Sequence, residues 1–152
     1  MEEIITGSDK SYFSGEVLVC DDTPLNLIYI CEHLMDVGLV PKVSMSGEDA
    51  VKMVKKRAPF HKKDVCRASD EEANKQFDLV FMDIFLPGMD GIEASTKINE
   101  IDDNIPIVAF TADNKLNYGE NYTDSGIVDY LGKPFEMNDL CQCLTKYLSV
   151  LK

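Results

Sequence analysis

The sequence predicts a doubly wound α/β domain: a five-stranded parallel sheet with helices on both faces. Three observations carry that prediction. Four short runs, EVLVC (16–20), FDLVFM (77–82), IPIVAF (105–110) and GIVDYL (126–131), are strand-length and apolar on consecutive positions, the pattern of strands buried on both faces. Helical patterns fill the gaps, so strand and helix alternate along the chain. The length, 152 residues, suits one domain able to bury a sizeable core.

Residues 1–14 are acidic and polar and read as a linker ahead of a domain at 15–152; they lack the apolar stretch of a signal peptide. After EVLVC, Thr23 is placed to cap a helix, Pro24 to occupy its first position and Gly38 to close it. The weaker run LVPKVSM (39–45) carries Pro41 and Lys42, which suits an edge strand. Ser46 then caps a helix with Glu48 and Asp49 in its first turn. Residues 58–76 form an inserted connection before the next strand, of a length that is uncommon inside a compact domain. Within it Ser69 and Glu72 have capping-box spacing, which predicts a further short helix over 69–76. GIEASTKINEI (91–101) is helical, and a last helix over roughly 136–151 puts Leu140, Leu144, Tyr147, Leu148 and Leu151 on one stripe.

Composition excludes several functions. A net charge of −12 disfavours direct nucleic-acid binding, because phosphate backbones want a basic face. Residues 52–75 hold eight of the fifteen Lys and Arg against four acids, a local +4 in a chain otherwise at −16; such a run usually forms a solvated face. No apolar run approaches the roughly 20 residues that span a bilayer, so no membrane contact is expected of this segment. Five cysteines without a secretory signal argue against a disulfide framework and for the cytoplasm. Cys20 and Cys31 fall in apolar patterns where a thiol acts as a small apolar group. Cys141 and Cys143 form C-x-C with no second pair or nearby His to complete a zinc set.

The chemistry is concentrated at the strand ends. FDLVFMDIFLPGMDG (77–91) runs an apolar strand straight into Asp83 and then into two turn signals. In a parallel α/β sheet the active crevice lies at the carboxyl ends of the strands. There the first strand delivers Asp21 and Asp22, the third Asp83, the fourth Thr111, and the fifth Lys133 followed by Pro134. Three clustered carboxylates repel one another, and Mg²⁺, which prefers oxygen ligands and phosphate, relieves that repulsion. Lys133 would pair with an anion held by the same metal, which makes this a site for phosphoryl transfer. A carboxylate can be the nucleophile in such chemistry. Asp83 is the candidate, held rigidly by a central strand yet reachable through the Pro-Gly turn.

VLVCDD, FMDIFLPGMDG, FTAD and YLGKPF stand in this order at strand ends over about residues 15–151, and together they resemble the receiver domain of two-component response regulators. The resemblance implies a flavodoxin-like sheet of order 2-1-3-4-5 and a phosphoacceptor at Asp83, charged from a phosphohistidine. It implies Mg²⁺ bound by Asp22, Asp83 and the Phe85 carbonyl, with Asp21 acting mainly through water. Thr111 would bond a phosphoryl oxygen, Lys133 would pair with another across a cis bond to Pro134, and Tyr130 would be the switch aromatic that moves with Thr111. Phosphorylation and hydrolysis would be catalysed by the domain itself. The implied partners are a histidine kinase or a histidine phosphotransfer domain. Phe85 and Asp113 occupy the two positions that tune water access to the acyl phosphate. Phe85 offers no group to orient water, so slow hydrolysis is expected.

SGEVLVCDDTPLN, with Asn26 after the proline, resembles receivers of hybrid histidine kinases, which would make this segment the cytoplasmic part of a membrane-bound sensor kinase. Its first helix carries more apolar residues than one face can hold, leaving surface for a partner helix. No output domain is expected after the last helix, so a stand-alone single-domain regulator is the alternative. A pseudo-receiver that binds partners without phosphoryl chemistry would not need the intact set Asp22, Asp83, Thr111 and Lys133. An FMN carrier of the same fold would need a Ser/Thr/Gly-rich phosphate loop where this chain has the acidic DDTPLN. A phosphatase with an Asp nucleophile would need a second acid two residues after Asp83, where Phe85 stands.

Overall fold

The computed structural model describes residues 12–57, 75–112 and 125–149. In chain order these form β1 (Glu16–Cys20), α1 (Pro24–Asp36), β2 (Val40–Ser44), α2 (Gly47–Lys56), β3 (Leu79–Met82), α3 (Gly91–Ile101), β4 (Ile107–Thr111), β5 (Ile127–Gly132) and α4 (Met137–Tyr147). The strands make one sheet in the order β2-β1-β3-β4-β5, and every neighbouring pair is parallel. The predicted fold class and strand order are those observed. The Ser69–Glu72 capping box, Asp113 and most of the 58–76 connection lie outside the described residues.

Period-two alternation explains why the central strands are apolar at every position. Val17, Val19, Phe81, Val108 and Phe110 enter one core with Leu27, Ile30 and Leu34 of α1 and Leu140 and Leu144 of α4. Leu18, Val80, Met82, Ile107 and Ala109 enter the other with Ala50 and Val54 of α2 and Ala94 and Ile98 of α3. β5 departs from its sequence pattern. It is an edge strand, and Val128 is exposed. Val40 and Val43 of β2 are exposed as well, consistent with the edge position that Pro41 and Lys42 suggested.

Helix ends follow their local chemistry. The Ser46 hydroxyl accepts from Asp49 N at 3.0 Å, and Asp90 caps α3 by accepting from Glu93 N at 2.8 Å. Glu136 and Asp139 close a reciprocal capping box on α4. Thr23 holds the capping position of α1 without a side-chain bond; its N–H donates instead to the Asp21 carboxylate at 2.9 Å. Gly38, at φ 100°, donates to Met35 O at 3.0 Å and stops α1. α4 ends at Tyr147, short of the predicted 151, because Leu148 turns extended. Phe13, placed in the linker by its polar neighbours, is buried in the core beside α1, and its N–H donates to Val37 O at 2.9 Å.

The loop after β3 is as tight as its glycines allow. Gly91 N donates to Ile84 O at 2.9 Å, and a Cβ at Gly91 would stand 2.0 Å from Asp83 O and 2.7 Å from Ile84 Cα. Both are backbone atoms, so the loop itself would have to shift. We therefore expect Gly91→Ala to lower unfolding free energy by roughly 1–3 kcal/mol, measured as a lower urea midpoint with an unchanged slope.

Candidate active site

The parallel register carries the sheet one residue past each strand and thereby lines up the polar ends. Cys20 is level with Ser44 and with Met82, and Met82 with Ala109. Asp21 N donates to Ser44 O at 3.1 Å, Asp83 N to Cys20 O at 2.9 Å, and Lys133 N to Thr111 O at 2.9 Å. Asp21, Asp83, Thr111 and Lys133 therefore stand side by side along one edge. The Lys133–Pro134 peptide is cis.

One carboxylate oxygen from each of Asp21, Asp22 and Asp83 lies within 4.8 Å of the others. The three differ in surroundings. Asp21 is wholly buried and Asp83 is 6% exposed, whereas Asp22 faces solvent. Both Asp21 oxygens are engaged: by Thr23 N at 2.9 Å, by the Asn26 amide at 3.2 Å and by Lys133 Nζ at 2.5 Å. Lys133 Nζ is also 3.6 Å from Asp83 Oδ2 and sits 4.6 Å from the Phe110 ring centroid. Phe85 N donates to Asp83 Oδ1 at 3.3 Å, while its ring is more than half exposed.

Electrostatics follows from this crowding. Burial pushes the Asp83 carboxyl up from 3.8 to about 6, with Lys133 and the Phe85 N–H pulling it down and Asp21 and Asp22 pushing it up. A site that raises a carboxylate this way favours a cation or a proton beside it. The donor set fits a hard divalent ion: clustered carboxylate oxygens, no soft ligand among them, and one member open to solvent. Cys20, just below, is pushed up to about 12 chiefly by burial, so it remains a thiol and takes no ligand role.

Asp113 apart, the site residues singled out in the sequence lie in the described part, and six of those seven are at this edge. Tyr130 lies within β5, three residues before Lys133. Its phenol oxygen is turned inward and buried, and a Cβ at Gly132 would come within 3.2 Å of it. Two contributors were not assigned a role from sequence. Asn26 steadies Asp21 from the first turn of α1, a contact that only its five-residue spacing would have hinted at. Phe110 supplies the face under the Lys133 ammonium, which an apolar strand residue does not advertise.

This sheet, with its acidic edge and its cis-proline lysine, defines a receiver domain. Residues 17–145 match the response regulator receiver domain family, and the chain belongs to that family, whose members act in two-component signalling. Among its relatives are receiver regions of large sensor kinases. It is 35% identical to the sensor protein GacS of Pseudomonas syringae pv. syringae over 146 residues, covering 93% of this chain and 14% of that protein. It is 31% identical over 142 residues to the signal transduction histidine-protein kinase BarA of Escherichia coli K12, covering 92% of this chain and 14% of that one. The chain thus spans about one seventh of these relatives' length. The receiver domain of sensor histidine kinase PA1611 from Pseudomonas aeruginosa PAO1 superposes with a TM-score of 0.70 at 26% identity, covering 88% of this chain and 97% of that one, and it holds a magnesium ion in its active-site cleft.

The raised carboxyl has a consequence for stability. Between about pH 4 and about pH 6 the folded chain keeps a proton at Asp83 that the unfolded chain has released. Ionising Asp83 therefore costs the fold stability as pH rises through that window. Asp83→Asn removes the cost. Without added metal it should be more stable than wild type by about 1–3 kcal/mol at pH 7, and the difference should vanish below about pH 4. Urea unfolding across this pH range measures it.

Proposed function

We propose that Asp83 accepts a phosphoryl group from a phosphohistidine of a histidine kinase or phosphotransfer domain, and that the domain passes on the resulting change of state in a phosphorelay. The observation that supports this best is a buried yet reachable carboxylate flanked by two more and by one ammonium, with oxygens within 4.8 Å across the acids and Lys133 Nζ 3.6 Å away. An oxygen of Asp83 attacks phosphorus as the N–P bond breaks, and its electron pair returns to the donor imidazole. A Mg²⁺ ion held at this edge would supply charge neutralisation for the transfer. Asp22 and Asp83 with the Phe85 carbonyl are the residues to hold it, and Asp21, its oxygens already engaged, is suited to act through water. Lys133 neutralises one phosphoryl oxygen, and the Thr111 hydroxyl bonds another. Tyr130, packed inward beside Gly132, is the aromatic whose pose reports that change.

Partner docking has a ready surface. On α1, Leu25, Ile28, Tyr29 and Met35 are exposed at 75%, 54%, 43% and 55%, while Leu27, Ile30 and Leu34 fill the core. This apolar outer stripe borders the Asp21–Asn26 side of the site and suits a helix of the donor protein. Among the described residues no helix is long and apolar enough to cross a membrane, which fits a cytoplasmic segment of a hybrid sensor kinase.

Incubation with acetyl phosphate and Mg²⁺ should add the mass of one phosphoryl group to wild type and none to Asp83→Asn. No adduct on a wild type that binds Mg²⁺ would overturn phosphoryl transfer and leave an interaction module. The phosphoryl group should persist, because the exposed Phe85 ring cannot orient an attacking water. Phe85→Asn, which can, should shorten the half-life by roughly threefold or more, followed by loss of that mass after donor removal.

A further inference from the structure

We infer that Tyr29 is a positioning residue for Lys133: its phenol ties the loop that carries the ammonium to the outer face of α1. The inference rests on the proposed transfer at Asp83 and adds a residue through which α1 acts on it. The Tyr29 hydroxyl donates to the carbonyl of Phe135 at 3.0 Å, across 106 positions of sequence. Phe135 is two residues past Lys133, so this bond pins the loop just downstream of the ammonium. Upstream, the loop is fixed where Lys133 N meets Thr111 O.

Aromatic contacts run the same way. The Tyr29 and Phe135 ring centroids are 5.1 Å apart, Phe135 and Phe110 are 5.9 Å apart, and Lys133 Nζ rests on Phe110. Beside this chain of rings lies a cavity of about 540 Å³ bounded by Asn26, Tyr29, Phe110, Lys133 and Phe135. Space on that side leaves the loop room to move, so the phenol bond that bridges it limits where Lys133 can go. Phe135 itself is buried, and a buried carbonyl stripped of its donor is costly. The loop would shift to satisfy it. Tyr29 is also on the exposed stripe of α1, so whatever settles on that stripe touches the residue that holds Lys133.

Tyr29→Phe removes the hydroxyl and keeps the ring. With acetyl phosphate and Mg²⁺, it should take up phosphoryl about threefold to tenfold more slowly than wild type, and this slowing should disappear in the Lys133→Ala background. Amide hydrogen exchange should quicken at Lys133 and stay unchanged at Val19 in β1, which separates a loosened loop from a weakened fold. Slowing by the same factor in both backgrounds, a wild-type rate in Tyr29→Phe, or unchanged exchange at Lys133 would each overturn the inference. Should Lys133→Ala itself react at the wild-type rate, the role of Lys133 in transfer fails and Tyr29's role fails with it.

Discussion

The contact on which the rest of the molecule depends is the Lys133 ammonium lying between Asp21 and Asp83. Three carboxylates at one sheet edge would repel one another and splay apart if left uncompensated. The ammonium offsets part of that repulsion from inside the sheet, and it leaves the solvent side, where Asp22 stands, for a cation. Its own position depends on the parallel ladder, because Lys133 N is bonded to Thr111 O one step beyond β5. A slip of β5 by one residue would turn the lysine to the other face. Register is therefore a functional quantity here, and the apolar residues on both faces of β1, β3 and β4 are what hold it.

The same logic explains why the site tolerates so awkward a carboxylate. Asp83 follows four buried residues of β3, and its backbone has no freedom: N bonded to Cys20 O, carbonyl against Gly91. Fixing this carboxylate costs solvation, seen as a carboxyl raised to about 6. That cost is small against the core on either side, where single large side chains such as Phe81 and Phe110 each stabilise the fold by about 3–5 kcal/mol relative to alanine. For the proposed acceptor role, a rigid, poorly solvated carboxylate would also need less reorganisation during transfer.

How much of this was legible in sequence depends on the range of the interaction. The strand ends were readable because apolar runs stop abruptly at Asp21, Asp83, Thr111 and Lys133, and parallel strands put such ends together. Ser46 and Gly38 were readable as local helix signals. The edge position of β5 came only with the strand order the resemblance implied, since its own consecutive apolar letters do not say whether a neighbour covers them. Phe13 was missed because a lone aromatic among polar residues has no period to follow. Thr23 was readable as the N-cap of α1, though its side chain makes no capping bond, and the bond from its N–H to the Asp21 carboxylate was not. Tyr29 read as one more apolar residue of α1; its partner is a backbone carbonyl over a hundred residues away, and no pattern in the letters marks a carbonyl.

The described residues that flank the long connection after α2 are fastened away from this edge. Arg57, the last described residue before it, donates to Lys75 O at 3.2 Å, pairs with Glu16 and stacks 4.0 Å over Phe77. Asp78 in turn accepts from Glu16 N at 2.9 Å. Glu16 opens β1 and Asp78 precedes β3, so both ends of the connection are fastened at the amino edge of the sheet. Asp21 and Asp83 are at the carboxyl edge, the length of a strand away, on the order of 16 Å for five residues. An insertion rooted there can change in length or charge without disturbing the register that aligns the acids.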